Sequence, residues 1–399
     1  MGPIRPFAIA RLPRIVFGAG SVASLPAEIG AFGRRALIVT GARSFRATTH
    51  WPRLLDGLAA AGVAWSDLAV DGEPTPEAVD QAIAEFSESG VEVVVGIGGG
   101  SALDAAKAIA GLLPHGRSVM EYLEGVGPER PYRGPSVPLI AVPTTAGTGS
   151  EATKNAVLSR QGEGGFKKSF RDEALVARLA VVDPDLLATC PREVVAANGM
   201  DAFTQLLESY VSIKANPMTE ALAWSGLEAF VAGFFAAWRG GDGADAATAR
   251  GHMAYASLMS GICLAQTGLG SVHGLASPLG AFFPIPHGLC CGTLVAEATD
   301  INIRALRARH PQDPALAKYA RIGWLVAGGE RFGIDDGAET LVGTLRDWTD
   351  RLALARLGAF GMNAGDIARV VAASRGSSMK TNPIVLTDDE VAAIVARRM

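Results

Sequence analysis

Asp201, His273 and His287 are the residues best suited to hold a transition metal in this chain. The chain has only six histidines, and these two lie fourteen positions apart, each followed directly by glycine. A carboxylate would help offset a divalent charge, two imidazoles would fix the geometry, and three protein donors with an open position make a workable catalytic site. The competing explanation is a pair of satisfied core histidines. A second chemically suggestive stretch is Gly96-Ile97-Gly98-Gly99-Gly100-Ser101. A glycine loop between a strand and a helix lets backbone N–H groups approach a phosphate at the helix N-terminus. It departs from the dinucleotide fingerprint, with Ser101 where the third glycine belongs and no acidic strand end about twenty residues later. By itself it is equally well explained as a tight turn. A third stretch, Thr144-Thr145-Ala146-Gly147-Thr148-Gly149-Ser150-Glu151, offers small hydroxyls that could bond ribose and amide groups or simply form turns.

These stretches need elements to hold them. Residues 15–20 read as a short strand and turn, 35–40, 65–70, 91–95 and 138–143 as strands, and 23–32, 51–61, 76–89 and 102–112 as helices. The alternation predicts a parallel sheet with helices on both faces. After Val181-Val182-Asp183-Pro184 the pattern turns helical, with 201–211, 220–237, 246–261, 314–327, 334–352 and 367–373 as the helices. The expected organisation is therefore an α/β dinucleotide-binding domain over 1–185 and an all-α domain over 186–399. Neither a repeat nor a low-complexity tract is visible, and Gly240-Gly241-Asp242-Gly243 reads as an interhelical turn.

At 399 residues the chain exceeds one ordinary core. Its 49% apolar and 19% charged residues suit a well-buried enzyme rather than a disordered chain. The net charge of -4 comes without a basic stripe, which argues against nucleic acid and acidic membranes as partners. The opening Met1-Gly2-Pro3-Ile4-Arg5-Pro6 lacks the apolar core of a signal peptide, and no run of eighteen apolar residues appears. Cys190, Cys263, Cys290 and Cys291 form no CxxC pair and read as reduced thiols of a cytoplasmic protein. Cys290 and Cys291 fall close behind the His287 turn and read as small buried apolar residues.

The segments Gly199-Met200-Asp201-Ala202-Phe203-Thr204-Gln205, Val272-His273-Gly274 and Pro286-His287-Gly288 resemble the iron-containing (group III) alcohol dehydrogenase family. The threonine string is close to that family's Pro-Thr-Thr-x-Gly-Thr-Gly-Ser-Glu, and the resemblance runs from Ile15 to Pro383. It implies metal ligands at Asp201, Gln205, His273 and His287. The family usually has histidine at the position of Gln205, and a glutamine carbonyl is the weaker ligand; the spacing of four keeps 201 and 205 on one helix face. It implies a pyrophosphate loop of Gly98, Gly99, Gly100, Ser101 and Asp104, with Thr144, Thr145, Thr148, Asn155 and Lys167 as further cofactor contacts. Many members carry a proton-transferring histidine where this chain has Ser277, and serine has no pKa near neutrality.

The implied activity is NAD(P)-dependent interconversion of a small alcohol and its aldehyde or ketone, assisted by Fe(II) or zinc. Two alternatives stand beside it: a metal-independent reductase of a carbonyl acid, and a catalytically inert nucleotide-binding or assembly protein. NADP is the expected cofactor, with NAD as the alternative. NAD-preferring members often place aspartate directly after the second strand, whereas this chain reads Gly41-Ala42-Arg43-Ser44. Gly41 removes a repulsive carboxylate, and Arg43 and Ser44 could bind a 2′-phosphate. The apolar stretch 279–284 and Leu264 are candidates to line a small substrate pocket. The expected assembly is a homo-oligomer, a dimer in the first instance.

Overall fold

The computed structural model describes residues 4, 6–162 and 164–399. Met1-Gly2-Pro3 and Arg5, part of the stretch read for a leader, lie outside the described residues. The first half alternates as expected: β1 (Arg14–Phe17), α1 (Leu25–Phe32), β2 (Arg35–Gly41), α2 (His50–Ala60), β3 (Ala64–Val70), α3 (Pro76–Phe86), β4 (Val93–Gly98), α4 (Gly100–Leu112), β5 (Leu139–Pro143), β6 (Asn155–Arg160), β7 (Phe166–Arg171) and β8 (Leu179–Val182). Six of these strands form one parallel sheet in the order β1-β8-β5-β4-β2-β3. Every residue of β4 is buried, as a near-continuous apolar run in a doubly covered sheet should be. One apolar cluster fills each face, Leu37, Val39 and Val94 on one side and Ile38, Val93 and Val95 on the other.

The chain leaves β2 towards β3 on one side and β4 towards β5 on the other. The crevice above the carboxyl ends of β2 and β4 is thus a topological switch point, where ligands bind in open α/β sheets. The pairing of Gly98 with Pro143 brings the loops after β4 and β5 side by side.

The second half is helical: α5 (Arg192–Val211), α6 (Pro217–Arg239), α7 (Ala244–Thr267), α8 (Ser271–Phe282), α9 (His287–Arg309), α10 (Pro314–Val326), α11 (Ile334–Arg351), α12 (Ile367–Ala373) and α13 (Asp388–Ala396). Its core gathers Met200, Phe203, Phe230, Leu275, Leu294 and Leu341 into one cluster. One helix, α6, is long and apolar enough to cross a membrane by length and composition. It carries Glu220 and Glu228, and its Phe230 and Phe234 stack at 4.5 Å within the core.

Six elements lie outside the sequence reading: β6, β7, β8, α8, α9 and α13. Residues 155–171 form an antiparallel hairpin, β6–β7, outside the main sheet. His273 and His287 stand on helices rather than turns. Pro278 inside α8 interrupts the apolar period there, and Pro286 precedes the first residue of α9. The glycines after the two histidines therefore serve close helix packing, not a bend around an ion. A side chain at 288 would meet the Ala197 carbonyl oxygen at 2.7 Å, where α9 lies against α5.

Candidate active site

Helix α5 presents Asp201, Gln205 and Glu208 at a spacing of four and then three, one face of the helix. Asp201 is buried, and its Oδ1 lies 3.1 Å from His273 Nε2 and 3.8 Å from His287 Nε2. Cys291, one turn beyond His287 on α9, places its Sγ 3.5 Å from His273 Nε2 and 3.8 Å from His287 Nε2. The four donor atoms lie within 4.8 Å of one another. The second oxygen, Asp201 Oδ2, is buried without a hydrogen-bond partner among the described residues. A buried carboxylate left half-satisfied beside two imidazoles and a thiol fits a cation, since such a group is otherwise costly. Asp201, His273, His287 and Cys291 are of donor types that a divalent transition metal accepts.

Glu208 holds this arrangement in place. Its carboxylate accepts from His273 Nδ1 at 2.7 Å, from Val272 N at 2.7 Å and from Gly270 N at 2.9 Å. It thereby caps the N-terminus of α8, which lacks a side-chain cap of its own, and fixes His273 with Nε2 towards Asp201. Asn382 supports the same end by accepting from Ser271 N at 3.0 Å. Glu208 was not singled out in the sequence, although its place seven residues after Asp201 was a readable signal.

Burial alone would raise the Asp201 pKa, but His287, His273 and Cys291 together bring it down to about 2. Burial pulls His287 down to about 4 against the attraction of Asp201, with Lys167 adding to the fall. Burial also works against His273, yet Cys291, Asp201 and Glu208 carry it well above the usual imidazole value. Burial pushes the Cys291 thiol up to about 12.

Gln205 is buried, and its Oε1 accepts from Ser260 Oγ at 2.8 Å. Ser260 Oγ also lies 2.8 Å from the Ser257 carbonyl and 3.4 Å from the Gly147 carbonyl, so its one proton faces three acceptors and the threonine loop lies beside the Asp201 face of α5. The Ser277 hydroxyl donates to the backbone carbonyl of Lys167 at 3.0 Å, tying α8 to β7. Lys167 itself is ion-paired with Glu73, which also accepts from Ser159 at 2.5 Å. Leu279 and Phe283 pack in the helical core rather than lining a cavity, and Leu264 is half-buried.

At the carboxyl end of the sheet, Gly98, Gly99, Gly100 and Ser101 lead from β4 into α4, and Thr144 N donates to the Gly98 carbonyl at 2.9 Å. A Cβ added at Gly100 would sit 2.8 Å from Thr148 Cγ2, and one at Gly99 would sit 3.3 Å from Thr145 Oγ1. The glycine loop and Thr145 and Thr148 therefore form one continuous cradle. Gly41 ends β2 beside it, since a Cβ at Gly98 would lie 3.2 Å from the Gly41 amide. Arg43 and Ser44 are exposed on the following turn.

Asp104 has its carboxylate occupied: Ser150 donates at 2.5 Å, Val157 N at 3.2 Å, and Lys107 lies 3.1 Å away. The buried Lys107 also donates to Thr153 at 2.9 Å and to the Asn155 carbonyl at 2.5 Å. Asp104 and the Asn155 backbone thus anchor the threonine loop and hairpin to α4.

Residues 13–184 match the model of the iron-containing alcohol dehydrogenases, and 195–399 match that of the C-terminal domain of Fe-containing alcohol dehydrogenases. Alcohol dehydrogenase 4 of Saccharomyces cerevisiae is 37% identical over 239 residues, a stretch spanning 59% of this chain and 60% of the yeast protein. Sulfoacetaldehyde reductase of Bilophila wadsworthia is 31% identical over 392 residues, 96% of both chains. Among solved structures, a 1,3-propanediol oxidoreductase superposes with a TM-score of 0.87 at 27% identity, covering 99% of this chain and 100% of its own. Sulfoacetaldehyde reductase from Bifidobacterium kashiwanohense in complex with NAD+ does so with 0.82 at 25%, covering 99% of both.

Proposed function

Because this chain belongs to the iron-containing alcohol dehydrogenase family, we propose that it interconverts a small alcohol and its aldehyde or ketone with a nicotinamide cofactor and a divalent metal. The observation that carries this is the buried Asp201 cluster, set beside a loop system at the sheet's switch point. A bound ion would supply Lewis acidity towards the substrate oxygen, and the nicotinamide would carry the hydride. Asp201, His273 and His287 hold the ion, and Glu208 positions His273. Gly98, Gly99, Gly100 and Ser101 offer backbone and hydroxyl donors to the pyrophosphate, with Thr144, Thr145 and Thr148 alongside. Ser277 spends its proton on the Lys167 carbonyl and acts in positioning α8. The test is activity on an alcohol and aldehyde panel before and after chelation. Full turnover by metal-free protein would overturn the metal's role.

A carbonyl-acid substrate is less well served. Lys167, which the hairpin brings against α8, is neutralised by Glu73 and is not free to receive a carboxylate. A neutral alcohol or aldehyde is the substrate class that follows.

NADP is the preferred cofactor in this proposal. Gly41 has open space around it, its nearest neighbour for an added Cβ being Ser44 Oγ at 4.0 Å, and Arg43 and Ser44 are exposed beside it. The nearby Asp67 is already paired with Arg46 at 2.5 Å. NAD is the alternative, as in the NAD+ complex of the solved relative. Comparing kcat/KM for the two cofactors in wild type and Gly41→Asp decides: wild type should favour NADP, and the variant should shift towards NAD. A wild type strongly favouring NAD, or a variant with no shift, would rule the loop out as the phosphate reader. The buried thiols suit a reducing cytoplasm, and a homodimer is the expected assembly, to be checked by light scattering.

A further inference from the structure

We propose that Cys291 is the fourth protein donor of the metal site, in place of residue 205, and that the resulting carboxylate–bis-imidazole–thiolate set selects zinc over ferrous iron. The inference rests on the metal-dependent reading above and concerns which side chains complete the site. Family resemblance points to position 205, where histidine is usual, but this chain has a glutamine whose Oε1 is engaged by Ser260 Oγ at 2.8 Å. Cys291 reaches the site from another helix. It stands one turn after His287 on α9, so the two side chains share a face and converge on the same point.

The separations support coordination rather than chance proximity. A tetrahedral ion with metal–ligand distances of about 2.0–2.3 Å sets its donors roughly 3.3–3.8 Å apart. Four of the six separations are 3.1 Å for Asp201 to His273, 3.8 Å for Asp201 to His287, 3.5 Å for Cys291 to His273 and 3.8 Å for Cys291 to His287, and all six lie within 4.8 Å, a spread that an entering ion would draw in. Asp201 Oδ2 is a second and independent pointer, being buried and unpartnered among the described residues. Cys290, equally buried, is not part of the four-donor group.

The chemistry follows from the donor set. Cys291 loses its proton on coordination, as metal-bound thiols do. One thiolate and one carboxylate then balance a divalent charge inside a buried site. Thiolate and imidazole donors favour zinc, whereas carboxylate and imidazole alone discriminate less, and a substrate oxygen would join the four protein donors as a fifth.

Two measurements test this on the full-length enzyme. Zinc-edge X-ray absorption on the unmodified zinc-loaded protein should show one sulfur scatterer at about 2.3 Å. Protein reconstituted with Co(II) should show a thiolate-to-metal charge-transfer band in the near ultraviolet. That band should persist in Cys290→Ala and vanish in Cys291→Ser, with zinc affinity in the latter falling roughly 100-fold or more, beyond what loss of a ligand's supporting partner costs. Bound zinc with only nitrogen and oxygen neighbours would overturn the Cys291 assignment while leaving the metal site intact. Failure of the wild type to bind zinc or cobalt would overturn both. Preferential retention of iron from medium containing equal zinc and iron would overturn the selectivity.

Discussion

In the proposed function, the loop cradle at the carboxyl end of the sheet and the donor cluster on the helices would hold a charged group in opposite ways. The cradle uses backbone and small hydroxyls from short contiguous stretches, after β4 and β5. Its demand on the sequence is mainly the absence of side chains, as the 2.8 Å approach of Thr148 to a Cβ at Gly100 shows. The cluster uses side-chain atoms from three helices, and the contacts of Asp201 span 72 residues to His273. One site is lost by adding atoms and the other by removing them.

That contrast can be broken in order of effect. Asp201→Ala or His273→Ala should abolish metal retention and lower kcat/KM by several kcal/mol, roughly 10³-fold. Cofactor binding, followed by nicotinamide fluorescence, should survive in both. A loss of cofactor binding equal to the loss of metal would show the two regions to be one unit. Glu208→Gln removes the charge facing His273 and keeps only one acceptor oxygen, so its NH2 must face either the Val272 amide or the Gly270 amide and His273 Nδ1. Metal affinity should fall about 10–100-fold and stability by about 1–3 kcal/mol for the buried donor left unpaired, and an unaltered affinity would remove Glu208 from the positioning role. Gly100→Val should raise the cofactor KM about tenfold or more, ~1.4 kcal/mol, with full metal content. Equal cofactor KM in variant and wild type would refute the cradle.

The last effect is on stability and leaves both regions' binding untouched. Burial lifts Glu151, at the end of the threonine string, to about 7 despite the nearby Lys107, against an ordinary 4.5. A carboxyl whose folded pKa is raised stabilises the fold fully only where it stays protonated, and that contribution is lost as pH climbs from about 4.5 to 7. Glu151→Gln should therefore be more stable than wild type at pH 8, by about 1–3 kcal/mol. The gain should disappear towards pH 4.5. Thermal melts across this range check it, and a gain that grew in acid would reverse the sign.

Legibility in the sequence followed the same division. The β4 loop and threonine string were readable because each is local, and the strand–helix alternation up to Pro143 emerged within a few residues at every boundary. Asp201, His273 and His287 were recognisable by type. The helices carrying the two histidines were not, since Pro278 sits inside α8 and Pro286 opens α9. The hairpin β6–β7 was missed because Phe166-Lys167-Lys168-Ser169-Phe170-Arg171 has no clean alternation of apolar and polar positions. Glu208 and Cys291 needed only helical spacing from Asp201 and His287, but that spacing has meaning only once residues 287–309 are known to be a helix. Asp104 shows the converse: its position suggested a cofactor contact, while the fold gives its oxygens to Ser150 and Val157.

His287 is the first residue of α9, and no side chain caps that helix start. The unpaired amides of a first turn carry about half a positive charge between them, an effect worth roughly 0.3–1 kcal/mol on a neighbouring ion and confined to that turn. Helix α9 therefore brings to the cluster a fixed electropositive end that no titration can remove. It opposes extra positive charge on the His287 imidazole, which stands on that first turn, and so acts in the same direction as the burial that pulls this group down to about 4. The backbone dipole of α9 thus makes this helix start electropositive whether or not an ion is bound.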